Sequence, residues 1–324
     1  MMHVHRHMTT LAWAASLALS PAVFAQELAN GGDSRYLSRL VPFESSHAIV
    51  QRAQNDETAL NARYSFRYSI ISDESHHMPC RAATPDATDE RDCSEWFLAY
   101  NGEFDFYAGT RPSGPVINRT SNPSGHFRWR DKEGSYVDVG IQHRSNGQVQ
   151  DPSDPLVQER AAHAYAIGDH AYFDGMSRSS NYVSLEGGKR WRENYQLTAS
   201  GKLYFAQDGD VSWGPLANSR SKLSDYDRLQ FRARAKFWRA DAGIEWTVGD
   251  KGLHTDSWNA DISIVYGGLP FYLRYHHGPM RTLSNYTVPQ STIGFGLIFL
   301  PDPWARANRD TDTKARKQDS KNVQ

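Results

Sequence analysis

Apolar and polar positions alternate with a period of two along most of the chain. Leu229, Phe231, Ala233, Ala235 and Phe237 interleave with Arg228, Gln230, Arg232, Arg234 and Lys236. Tyr195, Leu197, Ala199, Leu203 and Phe205 alternate with Gln196, Thr198, Ser200 and Lys202, and Tyr64, Phe66, Tyr68 and Ile70 with Arg63, Ser65, Arg67 and Ser69. Near the end of the pattern, Ile293, Phe295, Leu297 and Phe299 share one face while Gly294 and Gly296 take the other. This period predicts β-strands with unlike faces. A soluble sandwich carries the same alternation, so periodicity alone does not fix the solvent. Strand length says more. Several runs persist for ten residues or more, whereas a soluble strand averages about 5 or 6 and a tilted membrane strand needs about 9 to 11.

The connections differ in length in an ordered way. Asp131 to Gly134, Arg239 to Asp241 and Gly267 to Pro270 read as tight turns, and Thr110 to Gly125, Asp208 to Asp225, Asp250 to Asp256 and Gly278 to Gln290 as long loops. Short turns at one end and long loops at the other predict an antiparallel transmembrane β-barrel, with the long loops outside. The segment Tyr136 to His143 then runs outward and Asn181 to Trp191 runs back. An even strand total requires one more strand before Arg63, and Ser45 to Arg52 is the candidate. The count is twelve, giving a barrel over 45–300, and no internal repeat is visible.

The ends fit an exported chain. His3, His5, Arg6 and His7 precede an apolar run from Leu11 to Phe24, and Val23-Phe24-Ala25 is a small-residue cleavage site. Residues 1–25 therefore read as a signal peptide and 26–44 as a periplasmic N-terminal segment. Elsewhere no run approaches the roughly 18 to 20 apolar residues of a membrane helix, which leaves a barrel as the way to span. Residues 301–324 hold Arg306, Arg309, Asp310, Asp312, Lys314, Arg316 and Lys317 with almost nothing apolar after Trp304, a composition that predicts a disordered polar tail.

Lys and Arg number 36 against 37 Asp and Glu, so charge offers no case for nucleic acid as a partner. The 9 Trp and 16 Tyr suit interfacial girdles. Cys80 and Cys93 are the only cysteines, and export favours a disulfide closing the loop between them. A zinc site with His76 and His77 matches no standard ligand spacing.

One strand end carries chemistry. In Tyr136-Val137-Asp138-Val139-Gly140-Ile141-Gln142-His143-Arg144-Ser145, the apolar face of Val137, Val139 and Ile141 continues by twos into His143 and Ser145. Serine and histidine two residues apart lie side by side, a spacing at which imidazole can accept the hydroxyl proton. Asn181 shares the parity of Val183 and Leu185 at the outer start of the next strand. That puts it beside the histidine as the third group of a Ser-His-Asn triad. Spacing alone leaves open a second reading, in which these are ordinary polar residues where the apolar belt meets water.

The strings His143-Arg144-Ser145-Asn146-Gly147, Asp151-Pro152 and Ser177-Arg178-Ser179-Ser180-Asn181 resemble the active-site segments of the outer-membrane phospholipase A family. Asn118-Arg119-Thr120-Ser121-Asn122-Pro123 and Ser291-Thr292-Ile293-Gly294-Phe295-Gly296-Leu297 extend the resemblance, patchily, from about Arg63 to Leu300. The resemblance implies a twelve-stranded outer-membrane barrel, active as a homodimer with Ca²⁺, that cleaves phospholipid acyl esters from the lipid side. It implies Ser145 as nucleophile, His143 as base and then acid, and Asn181 as the group holding the ring. It also implies a calcium bound through the Gln148 carbonyl and the Ser177 hydroxyl, with Ser113 or Gly114 as a third contributor. This chain departs from the family in three ways: an insertion between Gln150 and Met176 with a helix-like stretch from Leu156 to Ile167, glutamine at the Gln148 position, and a polar tail in place of a terminal aromatic. The competing expectation is a pore or structural barrel, in which Arg228, Arg232, Arg234, Lys236 and Arg274 line an anion path.

Overall fold

The computed structural model describes residues 40–53, 57–72, 93–107, 116–131, 133–191, 194–207 and 221–300. The chain divides into two compact units, Met1–Val41 and Pro42–Gln324, and of the first only a two-residue strand, Leu40–Val41, is described. The expected signal peptide, most of the N-terminal segment and the polar tail lie outside the described residues.

The second unit contains twelve strands: β1 Ser46–Ala53, β2 Thr58–Ser72, β3 Cys93–Phe106, β4 Ile117–Arg130, β5 Tyr136–Ser145, β6 Ser179–Trp191, β7 Tyr195–Gln207, β8 Leu229–Phe237, β9 Ala240–Gly249, β10 Gly252–Tyr266, β11 Leu269–Gly278 and β12 Gln290–Leu300. Each pairs antiparallel with the next in sequence, and β12 returns to β1 with Phe295 opposite Val50 and Leu297 opposite Ala48. The barrel is closed. Closure leaves no sheet edge unpaired, which matters in lipid because each unsatisfied backbone group there costs on the order of several kcal/mol.

The alternation read from the sequence becomes an apolar outside and a polar inside. Ile141 and Leu203 are 64% and 67% exposed on the outer face, while Asp138 and Glu95 are 2% and 1% exposed in the lumen. A barrel built this way is soluble only in lipid. Inside, charges meet opposite charges: Arg128 Nε binds Asp138 at 2.8 Å, Arg232 binds Glu245 at 2.6 Å, Arg234 binds Asp241 at 2.5 Å, and Arg281 binds Asp105 at 3.1 Å. Arg67 pairs with Glu95 and Arg63 with Glu44. A cavity of 220 Å³ remains among Arg63, Glu103, Arg144, Asp227, Arg232 and Glu245.

Above the lumen the long connections build an apolar cluster of their own. Helix α1, Pro155–Ile167, is capped by Asp154 and contributes Ala161 and Ala164. Phe173 and Met176 follow from a 3₁₀ turn and its end, Leu223 and Tyr226 from the β7–β8 connection, and Leu283 and Tyr286 from the β11–β12 connection. Three connections are thereby joined.

Two expected loops are wrong in part. Thr110 to Gly125 contains strand from Ile117 onward, because β3 and β5 supply ladder partners on both sides of a segment whose Asn, Ser, Pro and Gly content reads as a turn. Asp250 to Asp256 shrinks to a tight hairpin, since Gly249 already faces Gly252 and pairing resumes from Thr247 and Ser257. The first strand begins one residue later than expected, and the helix begins at Pro155 instead of Leu156.

Candidate active site on the outer face

The outer end of β5 sits between β4 and β6. In register, His143 faces Asn181, Ser145 faces Ser179, and on the other side Ser145 faces Ser121. Between the pairs Ser121–Ser145 and Ser124–Gln142, Pro123 falls beside His143. It has no N–H to offer the ladder, which accounts for the gap in pairing at that point. His143 and Ser145 continue the outward row of Val137, Val139 and Ile141, and Asn181 continues that of Leu185 and Val183. All three candidate residues are half-buried on the lipid side of the wall.

His143 Nδ1 lies 2.9 Å from Asn181 Oδ1. An amide oxygen only accepts, so Nδ1 carries the proton and the neutral ring keeps its lone pair on Nε2. Nε2 is the atom a neighbouring hydroxyl needs. Among the described residues Ser145 and His143 are not hydrogen-bonded to each other. Looser nucleophile–base geometry is common before substrate binds.

The turn after Ser145 is held from below by Asn146, which is 1% exposed. Its Nδ2 donates to Met176 O at 2.7 Å, its Oδ1 accepts from Arg178 N at 2.9 Å, and its own N–H donates to Arg178 O at 3.1 Å. Ser177 N donates to Gln150 O at 2.7 Å, and Gln150 N to Gly175 O at 3.0 Å. Asn146 therefore clamps the segment carrying Gln148 to the segment carrying Ser177, and the intervening 150–176 stretch closes back on itself. Asn146 was quoted in the sequence only as part of a string, and its burial is what reveals this role.

Gln148 and Ser177, expected as calcium ligands, stand on the two clamped segments; Ser113 and Gly114 lie outside the described residues. Gln148 O and Ser177 Oγ are neutral hard oxygens, the kind Ca²⁺ takes. Gln150 Oε1 is buried in the same clamp and has no hydrogen-bond partner among the described residues. The donor chemistry fits the ion. Among the described residues no cluster of three His, Cys, Asp or Glu has metal-binding geometry. Cys93 is disulfide-bonded, while Cys80, His76 and His77 lie outside the described residues.

Sequence reasoning quoted Arg119 and Ser121 only inside a string and did not single out two neighbours of the site. Tyr100 Oη is 2.9 Å from Ser121 Oγ, next to Ser145, and the Arg119 guanidinium lies against Gly147. Both were hidden when the start of β4 read as loop. A second histidine–carboxylate pair, His126 Nδ1 to Asp138 Oδ1 at 2.6 Å, sits in the lumen. Phe97 stacks on it at 4.8 Å and Arg128 shares the carboxylate, so it is a packed structural pair. The arginines proposed to line an anion path hold carboxylates: Arg232 and Arg234 as above, Arg228 with Asp250 at 2.7 Å and Arg274 with Glu103 at 3.5 Å.

No protein-family model and no curated protein matches the chain. Among solved structures it is similar to outer membrane phospholipase A from Escherichia coli, with a TM-score of 0.54 and 13% identity over 81% of this chain and 98% of that one. It is also similar to the Salmonella typhi outer membrane phospholipase dimer with bound calcium, with a TM-score of 0.55 and 14% identity over 82% and 93% of the two chains. The KdgM porin aligns at a TM-score of 0.38 and 9% identity, over 79% and 99%. The class is an outer-membrane-type, closed, twelve-stranded antiparallel β-barrel. Within that class, the fold is like that of outer membrane phospholipase A.

Proposed function

We propose that the chain is a bacterial outer-membrane phospholipase that hydrolyses phospholipid acyl esters, of A1/A2 and lysophospholipase type. The observation that carries the reading is the His143–Asn181 pair at 2.9 Å on the lipid-facing side of the wall, one alternate position from Ser145. A pore has no use for an oriented imidazole outside its lumen, and the paired charges inside count against an anion path.

Ser145 Oγ attacks the ester carbonyl carbon while His143 Nε2 takes its proton. The ring then returns that proton to the departing alcohol, and water hydrolyses the acyl-serine by the same route. Asn181 holds Nδ1–H throughout. Asn146 N–H is committed to Arg178 O, which leaves the Gly147 N–H to meet the oxyanion. Gln148, Ser177 and Ser113 would hold Ca²⁺, which when bound supplies positive charge for the developing oxyanion. Phospholipid is the substrate, the bilayer the surroundings, and a homodimer the active form.

Ser145→Ala is expected to abolish hydrolysis of detergent-dispersed phospholipid while the barrel keeps its heat-modifiable migration in gels. Undiminished turnover by that folded variant ends the proposal. Chelation of calcium is expected to lower wild-type turnover, and an unchanged rate removes the metal from the scheme.

A further inference from the structure

Arg119 lies on the outward face of β4, unlike the arginines that turn into the lumen. Arg63, Arg67, Arg128, Arg232, Arg234 and Arg281 each hold a carboxylate. Arg119 has neither ion pair nor hydrogen bond among the described residues. It is exposed and lies two residues beyond Ser121 on β4, on the same outward face, and Ser121 is the register partner of Ser145. The guanidinium rests over Gly147: a Cβ on that glycine would stand 2.7 Å from Arg119 Nη2. Gly147 also has φ +57°, a conformation that L side chains rarely adopt, so glycine suits the position and leaves the guanidinium uncrowded.

The position has a direction. β4 runs inward from its outer end, so Arg119 lies about 5 Å nearer to water than Ser121, two residues of rise along a strand tilted by roughly 40°. An acyl ester at Ser145 has its glycerol and phosphate on that same watery side. Guanidinium presents paired N–H donors that match phosphate oxygens.

We propose that Arg119 binds the phosphate of the phospholipid whose ester lies at Ser145. This rests on the phospholipase reading and names the part of the substrate that the chain recognises. Arg119 is then a binding residue, and its charge at the rim is used on the ligand.

The test compares Arg119→Gln and Arg119→Lys with the wild type on two substrates in one neutral detergent: a phospholipid and an uncharged monoacylglycerol of equal chain length. For Arg119→Gln the KM for phospholipid is expected to rise about tenfold with kcat little changed, the weakening that loss of charge-assisted hydrogen bonds brings. The uncharged ester should be unaffected and Arg119→Lys should recover part of the loss. Equal losses on both substrates, or none on either, overturn the proposal.

Binding of a fluorescent phospholipid and of the matching diacylglycerol to Ser145→Ala and to Ser145→Ala/Arg119→Gln separates this idea from the catalytic one. Failure of turnover in the wild type with an Arg119-dependent preference for phospholipid sinks the esterase alone. No such preference sinks the phosphate site. Inorganic phosphate at millimolar concentration should not displace the lipid; displacement would assign the site to the free anion.

Discussion

At the scale of single residues, the choice of asparagine opposite His143 follows from where the pair sits. A carboxylate facing lipid beside the ring would carry a desolvation cost that an amide avoids, yet the amide oxygen still fixes Nδ1–H and frees Nε2. Asn181→Ala is expected to lower kcat by up to roughly 10²-fold, within the range that a positioned base contributes, with KM much less affected. Full kcat in the variant would mean that the ring is held by something else. The parity of Tyr136 to Ser145, together with that of Asn181, Val183 and Leu185 on the next strand, was enough to put His143, Ser145 and Asn181 on one face, because a strand has only two faces. Whether Ser145 and His143 are hydrogen-bonded was not legible, since that depends on rotamers. Arg119 was missed for another reason: a stretch of Asn, Thr, Ser and Pro gives no strand signal by itself, and its neighbours impose the conformation.

At the scale of elements, the strands were legible wherever both faces had contrasting chemistry, as in β7, β8 and β12. They were not legible where polar residues occupy both faces, as at the start of β4, or where a hairpin replaces an expected loop, as between β9 and β10. The clamped turn after β5 was legible in composition only. How the connections pack was not. Gly249 shows how close that packing is, because a Cβ there would stand 1.9 Å from the Asp225 carbonyl oxygen and 2.2 Å from Tyr226 N. Backbone cannot yield as a side-chain tip can. Gly249→Ala is expected to destabilise the barrel by about 1–3 kcal/mol, in the range of overpacking, seen as a lower urea midpoint. An unchanged midpoint would show that the β7–β8 connection does not press on β9.

At the scale of the whole molecule, Asp227 ties the β7–β8 connection to two strands of the wall, β5 and β7. It accepts from Lys202 Nζ at 2.6 Å and Tyr204 Oη at 3.2 Å, and pairs with Arg144 at 3.5 Å, the residue between His143 and Ser145. Burial would raise its carboxyl, but Lys202 and Arg144 outweigh burial and hold it below the usual carboxylate range. The folded form thus binds this proton less readily than the unfolded chain. The contribution is present above the unfolded carboxylate value and is lost as pH falls through the lower, folded one. Asp227→Asn should therefore be less stable than the wild type near neutrality, and the gap should narrow in strong acid. Urea midpoints across pH measure this, and a gap independent of pH would contradict it.

The pairing of β12 with β1 has a consequence in time. The wall's first strand waits for its neighbour until the final segment of sheet, Gln290–Leu300, has arrived. Until then the growing sheet has two raw borders, and no portion of it can settle in hydrocarbon by itself. Assembly has to finish as a single event that joins the earliest-made strand to the latest.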